Sequence, residues 1–372
     1  MKLPGITIAH SLGDTITDSN GQQYLDLCMG YGSISFGHNH PLIIERIKQQ
    51  LDTTYSPGFL DTAAKTDAIS AINSIIPDSH RAHATFSTGM ESVEASLRLS
   101  THVTKRKKLL AFQEAMHGKS LLTSALTNKD LTLAQHQTTS LPYIKKKSEA
   151  DILDNVYHHL KTREYAALLI EPIQMSNNGI IPGNDFFKRL HELCEQHGTL
   201  MIFDEILSGF YRSGDCFFFQ QLEFTPDIIL TGKALGNGFP AAALILDKNI
   251  DTNALPYRME STYSNHPLTC AAINASIAIS KQVNLKTKVS EIENTILQSL
   301  KRDQLFGKGA MWCYKINSAH NTLKFYTELL AKGILVSFFD GYIRLLPSYF
   351  IDLDALHTAC QTITAIDETL YQ

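Results

Sequence analysis

No two of the six cysteines stand as a CxxC pair; Cys28, Cys194, Cys216, Cys270, Cys313 and Cys360 are scattered along 372 residues. That spacing offers no zinc ribbon and no disulfide framework, and it fits reduced, mostly buried thiols. No apolar run reaches the length of a membrane span. Neither sign of charge dominates: the formal net charge is −4, so nothing draws the surface to nucleic acid or to an anionic membrane. Met1-Lys2-Leu3-Pro4-Gly5 opens into mixed sequence without a signal-peptide core, and a cytoplasmic protein is expected. Repeats and low-complexity segments are missing as well. Histidines number 15, yet His38-Asn39-His40 sits in a Gly-His-x-His-Pro turn with no carboxylate or thiol cluster beside it, so no metal site is expected there or at His158-His159.

What is present is an ordinary globular balance, 44% apolar and 19% charged. The length suits one large α/β domain plus a smaller one. Short apolar runs recur at Ala84–Phe86, Leu109–Phe112, Ala166–Ile170, Leu200–Phe203, Ile228–Leu230 and Ala242–Leu246. Between several of them lie stretches with helical spacing, such as Glu91–His102 and Phe186–His197. This alternation predicts a mostly parallel sheet with helices on both faces. From Val283 the pattern changes to helix, then short strands around Lys315-Ile316 and Ile343-Arg344-Leu345, then a last helix from Leu353, which predicts a separate α+β lobe. Lys145-Lys146-Lys147 reads as a solvated loop.

Chemistry gathers at the strand ends. Asp204 follows the run Leu200–Phe203, and Lys233 follows Ile228–Leu230 in Thr231-Gly232-Lys233-Ala234-Leu235-Gly236. An acid and an amine at the same edge of neighbouring strands face the crevice where α/β proteins bind ligands. Pyridoxal 5'-phosphate (PLP) chemistry needs that pair: an amine to condense with the aldehyde, and a carboxylate to keep the pyridine nitrogen protonated. Taken singly, Asp204-Glu205 also reads as a helix N-cap and Lys233 as a surface loop lysine. Ser87-Thr88-Gly89-Met90-Glu91 follows a strand and opens a helix, which suits a phosphate cradle and equally a plain N-cap. Glu171-Pro172 ends another strand, and His117-Gly118 follows the one ending at Phe112. Two nucleotide motifs are excluded. Gly118-Lys119-Ser120 has Gln113 where a P-loop needs glycine, and Gly236-x-Gly238-x-x-Ala241 precedes a strand rather than following one.

Ile202-Phe203-Asp204-Glu205-Ile206, Ser208-Gly209-Phe210-Tyr211-Arg212-Ser213-Gly214, Pro226-Asp227-Ile228 and Gly232 to Pro240 together resemble the core signature of class III aminotransferases. The similarity runs from Asp18–Asp26 and Gly37-His38-x-His40-Pro41 to Ile343-Arg344-Leu345-Leu346-Pro347. The resemblance implies fold type I: a large PLP domain with a mostly parallel seven-stranded sheet, and a small α+β domain built from both chain ends. On that basis we expect residues 1–48 and 276–372 to form the small domain and 49–275 the large one. It also implies a homodimer with shared active sites. Carried over by motif position, Lys233 would hold PLP as a Schiff base and shuttle protons, and Asp204 would bind the pyridine nitrogen. Thr88, Gly89 and Met90 would hold the phosphate, with Thr262 reaching the phosphate of the partner subunit. Met116, His117, Glu171 and Ile206 match positions near the cofactor, while Arg344, Lys119 and Tyr31 would meet substrate.

Four departures bear on the reaction. Met116 stands where a ring-stacking aromatic is usual, Leu207 where many members have glutamine, Ser176 where an acid often pairs with the C-terminal arginine, and Lys119 in place of a His-Gly-Arg arginine. None touches Asp204 or Lys233. An aminotransferase using a carboxylate-bearing partner such as glutamate/2-oxoglutarate is expected. Another PLP outcome (aminomutase, epimerase or decarboxylase) and a non-catalytic homologue stay open as alternatives, and so does a purely structural Arg344.

Overall fold

The computed structural model describes residues 6–127, 137–144, 147–252, 255, 258–317, 322–339 and 341–371. Met1 to Gly5 and two lysines of the 145–147 run therefore lie outside the described residues. Strands β1 (Ile8–Leu12), β2 (Thr15–Asp18) and β3 (Gln23–Asp26) open the chain. The large sheet holds β4 (His80–Phe86), β5 (Lys108–Phe112), β6 (Thr138–Leu141), β7 (Tyr165–Ile170), β8 (Leu200–Glu205), β9 (Ile228–Gly232) and β10 (Ala242–Asp247). Toward the end of the chain come β11 (Leu305–Lys308), β12 (Met311–Lys315), β13 (Ile334–Leu335), β14 (Ser337–Phe339) and β15 (Tyr342–Leu345).

The seven-stranded sheet runs in the order β4-β10-β9-β8-β7-β5-β6. Neighbours from β9 to β6 pair in parallel, and β10 is antiparallel to both β4 and β9. Two antiparallel steps return β4 to the common direction. The carboxyl ends of β4, β5, β7, β8 and β9 therefore open on one edge of the sheet. The buried runs explain why both faces are covered. Leu168 and Ile170 join the apolar cluster on one face, and Ala167 and Leu169 join the cluster on the other. The helix Gly89–Thr104 covers that second face through Val93, Ala95, Leu97 and Leu99. Strand alternation and two helical layers thus follow from one composition.

Six apolar runs mark six of these strands, and the seventh, β6, is polar (Thr138 to Leu141) and sits at the sheet edge. A strand with one neighbour needs little apolar surface, which is why composition did not reveal it. The second four-stranded sheet joins opposite ends of the chain, because β13 pairs in parallel with β3. The third, β11-β12-β15-β14, carries Arg344 on β15. Among the described residues no helix is long and apolar enough to cross a membrane.

Candidate active site

The site is built on the open edge of the large sheet. Asp204 is the next-to-last residue of β8, and Lys233 directly follows β9; the two strands pair with Asp204 opposite Leu230 and Glu205 opposite Thr231. Asp204 is 4% exposed. Its Oδ2 lies 2.7 Å from His117 Nδ1, and its Oδ1 accepts the Ile206 N–H at 3.2 Å. An ionised carboxylate only accepts, so His117 Nδ1 donates. Each Asp204 oxygen keeps lone-pair capacity for a further donor.

Glu171, one residue past β7, is also buried and accepts the Met116 N–H at 2.9 Å, which fixes the loop that carries Met116 and His117. Burial pushes the Glu171 carboxyl up to about 7, with His117 pulling it back down and Asp204 pushing it further up. Glu205 is held as tightly on the opposite face of β8, accepting from the Phe218 and Phe219 N–H groups at 2.6 and 3.0 Å, and burial pushes it to about 7 as well. Neither acid is a helix cap: Asp204 and Glu205 belong to the strand.

Lys233 is half-buried and adopts a left-handed φ of 42°. That conformation costs a non-glycine residue about 1 kcal/mol, a strain found mainly where function over-determines the backbone. Burial lowers the pKa of its amine; Glu171 and Asp204 raise it, and Arg344 and Arg212 lower it again. The amine faces a cavity of about 340 Å³ whose walls include Ser33, Ser87, Thr88, Gly89, Met90, Met116, His117, Ile206 and Phe239.

At the start of the helix Gly89–Thr104, Thr88 and Glu91 form a reciprocal capping box. Glu91 Oε2 takes the N–H groups of Ser87 and Thr88, and Thr88 Oγ1 takes that of Glu91. Gly89 and Met90 then hold first-turn N–H groups with no helical acceptor. The N-cap reading and the cradle reading of this segment are therefore compatible: the cap fixes the turn, and Gly89 and Met90 line the cavity. Gly89 lets the turn approach Ile206 closely: a Cβ there would meet Ile206 Cδ1 at 2.7 Å and force that side chain to shift.

The cavity thus gathers Thr88, Gly89, Met90, Met116, His117, Ile206 and Lys233, with Asp204 and Glu171 buried beside it. Thr262 is exposed, in a turn whose Ser261 Oγ lies 3.2 Å from Glu91 Oε1. Tyr31 is exposed, two residues before the wall residue Ser33. Lys119 is exposed and outside the cavity wall. Arg344, on β15, is outside the cavity wall; its guanidinium stacks 4.3 Å over Phe339 and its Nε has no hydrogen-bond partner. Ser176, at the position of the missing acid, donates to the Glu114 carbonyl instead. Sequence reasoning missed Ser33 and gave no role to Phe239 or Arg212, whose placement depends on contacts far apart in the chain.

These groups fit PLP: an amine and a buried carboxylate at matched strand ends, and unpartnered amides where a phosphate would lie. The fold and the site define a PLP-dependent transferase of fold type I. The profile of class III aminotransferases matches residues 2–366, and the chain belongs to that family; it is a PLP-dependent aminotransferase. It is 31% identical to a [LysW]-aminoadipate semialdehyde/glutamate semialdehyde transaminase of Sulfolobus acidocaldarius over 96% of this chain and 94% of that protein. It is 28% identical to an acetylornithine aminotransferase of Bacillus anthracis, covering 95% of this chain and 92% of that one. In fold it resembles an amine transaminase from an uncultivated Pseudomonas species, solved in its PLP-bound form, with TM-score 0.88 at 22% identity over 98% and 95% of the two chains.

Proposed function

We propose that Lys233 is the residue that carries PLP, that Asp204 holds its ring nitrogen, and that the partner substrates are the glutamate/2-oxoglutarate pair. The observation that carries this reading is the 2.7 Å Asp204–His117 contact at the end of β8, one strand away from the half-buried Lys233. When bound, PLP supplies an electron sink for charge developing at the donor carbon. The chain's own residues do the rest. His117 orients Asp204 so that its negative charge stays fixed at the cavity floor. Glu171 holds the Met116 N–H and so keeps His117 in place. The lowered pKa of Lys233 leaves more of its amine neutral, so that it could accept a proton from the donor carbon and deliver it to the cofactor carbon on the other side of the intervening nitrogen. Gly89 and Met90 donate to the phosphate, beside Thr88.

Arg344 has no ion pair among the described residues and would form a two-point bond with a substrate carboxylate, with Tyr31 and Lys119 completing the entrance. The relatives named for glutamate semialdehyde and acetylornithine support an acidic partner. We further propose a homodimer. Thr262 is exposed, Met90 and Met116 line the cavity while exposed by 36% and 52%, and Tyr263 is 60% exposed beside it; a second subunit would cover them. The pairing of β3 with β13 supports a small domain made of residues 1–48 and 276–372 beside a large domain, 49–275. Free thiols at all six cysteines support a cytoplasmic location. The test is to incubate the PLP-loaded protein with 2-oxoglutarate and a panel of amines and amino acids. One glutamate formed per donor consumed is expected; carbon dioxide or a rearranged donor in place of glutamate would overturn the reading.

A further inference from the structure

Arg212 is 0% exposed and makes no ion pair among the described residues. Its Nη1 donates to the carbonyls of Ala310 and Pro347 at 3.2 and 2.6 Å; its Nη2 donates to the Gly32 carbonyl at 3.3 Å and to Ser35 Oγ. The guanidinium stacks 4.8 Å from the Tyr349 ring, and its Nε has no partner. A buried cation without a counter-charge is costly, and an apolar side chain of similar volume would pack more cheaply.

The carbonyls it binds are informative. Gly32 closes a turn in which Met29, Gly30, Tyr31 and Gly32 all have positive φ, 44°, 58°, 56° and 79°. Two of these residues, Met29 and Tyr31, are strained there. The turn is capped from below by Asp26, whose Oδ1 accepts from Cys28 and Met29 at 2.8 and 2.9 Å and whose Oδ2 pairs with His38 at 2.9 Å. Gly32, at φ 79°, holds a conformation that other residues rarely adopt, and a Cβ there would also press on Leu207 Cδ1 at 2.8 Å. Pro347 follows the strand that carries Arg344 by two residues. Arg212 therefore bridges the turn that presents Tyr31 and the strand end that presents Arg344.

We propose that Arg212 is a positioning residue, a buried cation that fixes the spacing between Tyr31 and Arg344 and presents a permanent positive charge behind the substrate side of the site. The downward pull of Arg212 on the Lys233 amine agrees with that placement. The inference rests on the reading of Arg344 as a carboxylate site for its binding test; its charge test does not need that reading.

The experiment compares PLP-loaded parent, Arg212→Lys and Arg212→Met. In the first arm, glutarate, an unreactive dicarboxylate, is titrated and PLP dissociation is measured in parallel. Arg212→Lys keeps charge but loses the fork, so glutarate should bind about 10-fold more weakly while PLP affinity stays within about 2-fold. Parental glutarate binding, or a matching loss of PLP, would overturn the proposal. In the second arm, the visible absorbance that Lys233 shares with the cofactor is titrated with pH. Losing a nearby cation favours protonation, so Arg212→Met should move the midpoint upward and Arg212→Lys should not. An unmoved midpoint in both overturns the charge role. A parent that binds no glutarate contradicts the carboxylate reading of Arg344 and leaves the second arm to decide on Arg212. Should Arg212→Met not fold, Ser35→Ala replaces it: glutarate binding weakened about 2-fold supports the proposal, and parental binding overturns it.

Discussion

The strand-end side of the cavity and the side facing the C-terminal lobe handle charge differently. At the strand ends, Asp204 and Glu171 are each held by an N–H donor within 3 Å, from His117 and from the Met116 backbone. On the other side, Arg344 and Arg212 make no ion pair among the described residues, and each has a buried Nε without a partner. The carboxylates are arranged before any ligand arrives. Arg212 is held by three carbonyls and a hydroxyl rather than by an acid, and Arg344 stacks on the Phe339 ring. The contrast fits the two tasks proposed above: carboxylates preorganised for a cofactor, and an arginine side suited to an anionic substrate.

The largest effect is expected where the preorganised side is broken. Asp204→Asn keeps the shape but cannot hold a proton on the ring nitrogen by a charge-assisted bond. Turnover should fall about 10³-fold with the fold intact by circular dichroism. Near-parental turnover would remove Asp204 from its role.

Arg344→Leu breaks the other side. With a carboxylate-bearing donor and an uncharged amine assayed in parallel, the anionic donor should lose about 2–5 kcal/mol of transition-state binding selectively. Equal losses for both donors would make Arg344 structural.

Much of this contrast was legible in the chain itself. Asp204 and Lys233 stand out because each follows a short apolar run, and two such runs predict neighbouring parallel strands. The Thr88 segment was legible for the same reason, as a hydroxyl and a glycine between strand and helix. The cation side was less so. Arg344 could be placed by resemblance, but its freedom from an acid depends on where Ser176 turns, and that turn is toward the Glu114 carbonyl. Arg212 looks like any loop arginine, and its burial depends on Gly32, Ala310 and Pro347 meeting from distant parts of the chain. The left-handed turn at Met29–Gly32 was hidden because methionine and tyrosine do not favour that conformation. The short strands β1 to β3 were hidden because they are brief and mixed in polarity.

A smaller effect sharpens the comparison at the subunit level. Thr262→Ala should weaken PLP retention about 10-fold, measured by dialysis and absorbance, while sedimentation still shows a dimer. A fully active monomer would contradict the shared site.

The smallest effect concerns pH. Burial raises Glu171 and Glu205 from the ordinary 4.5 to about 7. A raised folded-state value means that their contribution to stability is complete below 4.5 and is lost as pH rises through about 7. The thermal midpoint should therefore decline by several degrees, about 6 °C, between pH 5 and 8, and Glu171→Gln should flatten part of that slope. An unchanged slope in the variant would mean that Glu171 does not titrate there.

The central claim is that Lys233, facing Asp204 across neighbouring strand ends, carries the cofactor. Borohydride reduction of the PLP-loaded protein followed by peptide mapping tests it directly. The reduced cofactor should be found on Lys233 alone, and none should be found after reduction of Lys233→Ala. A reduced adduct on another lysine of the parent protein would contradict it.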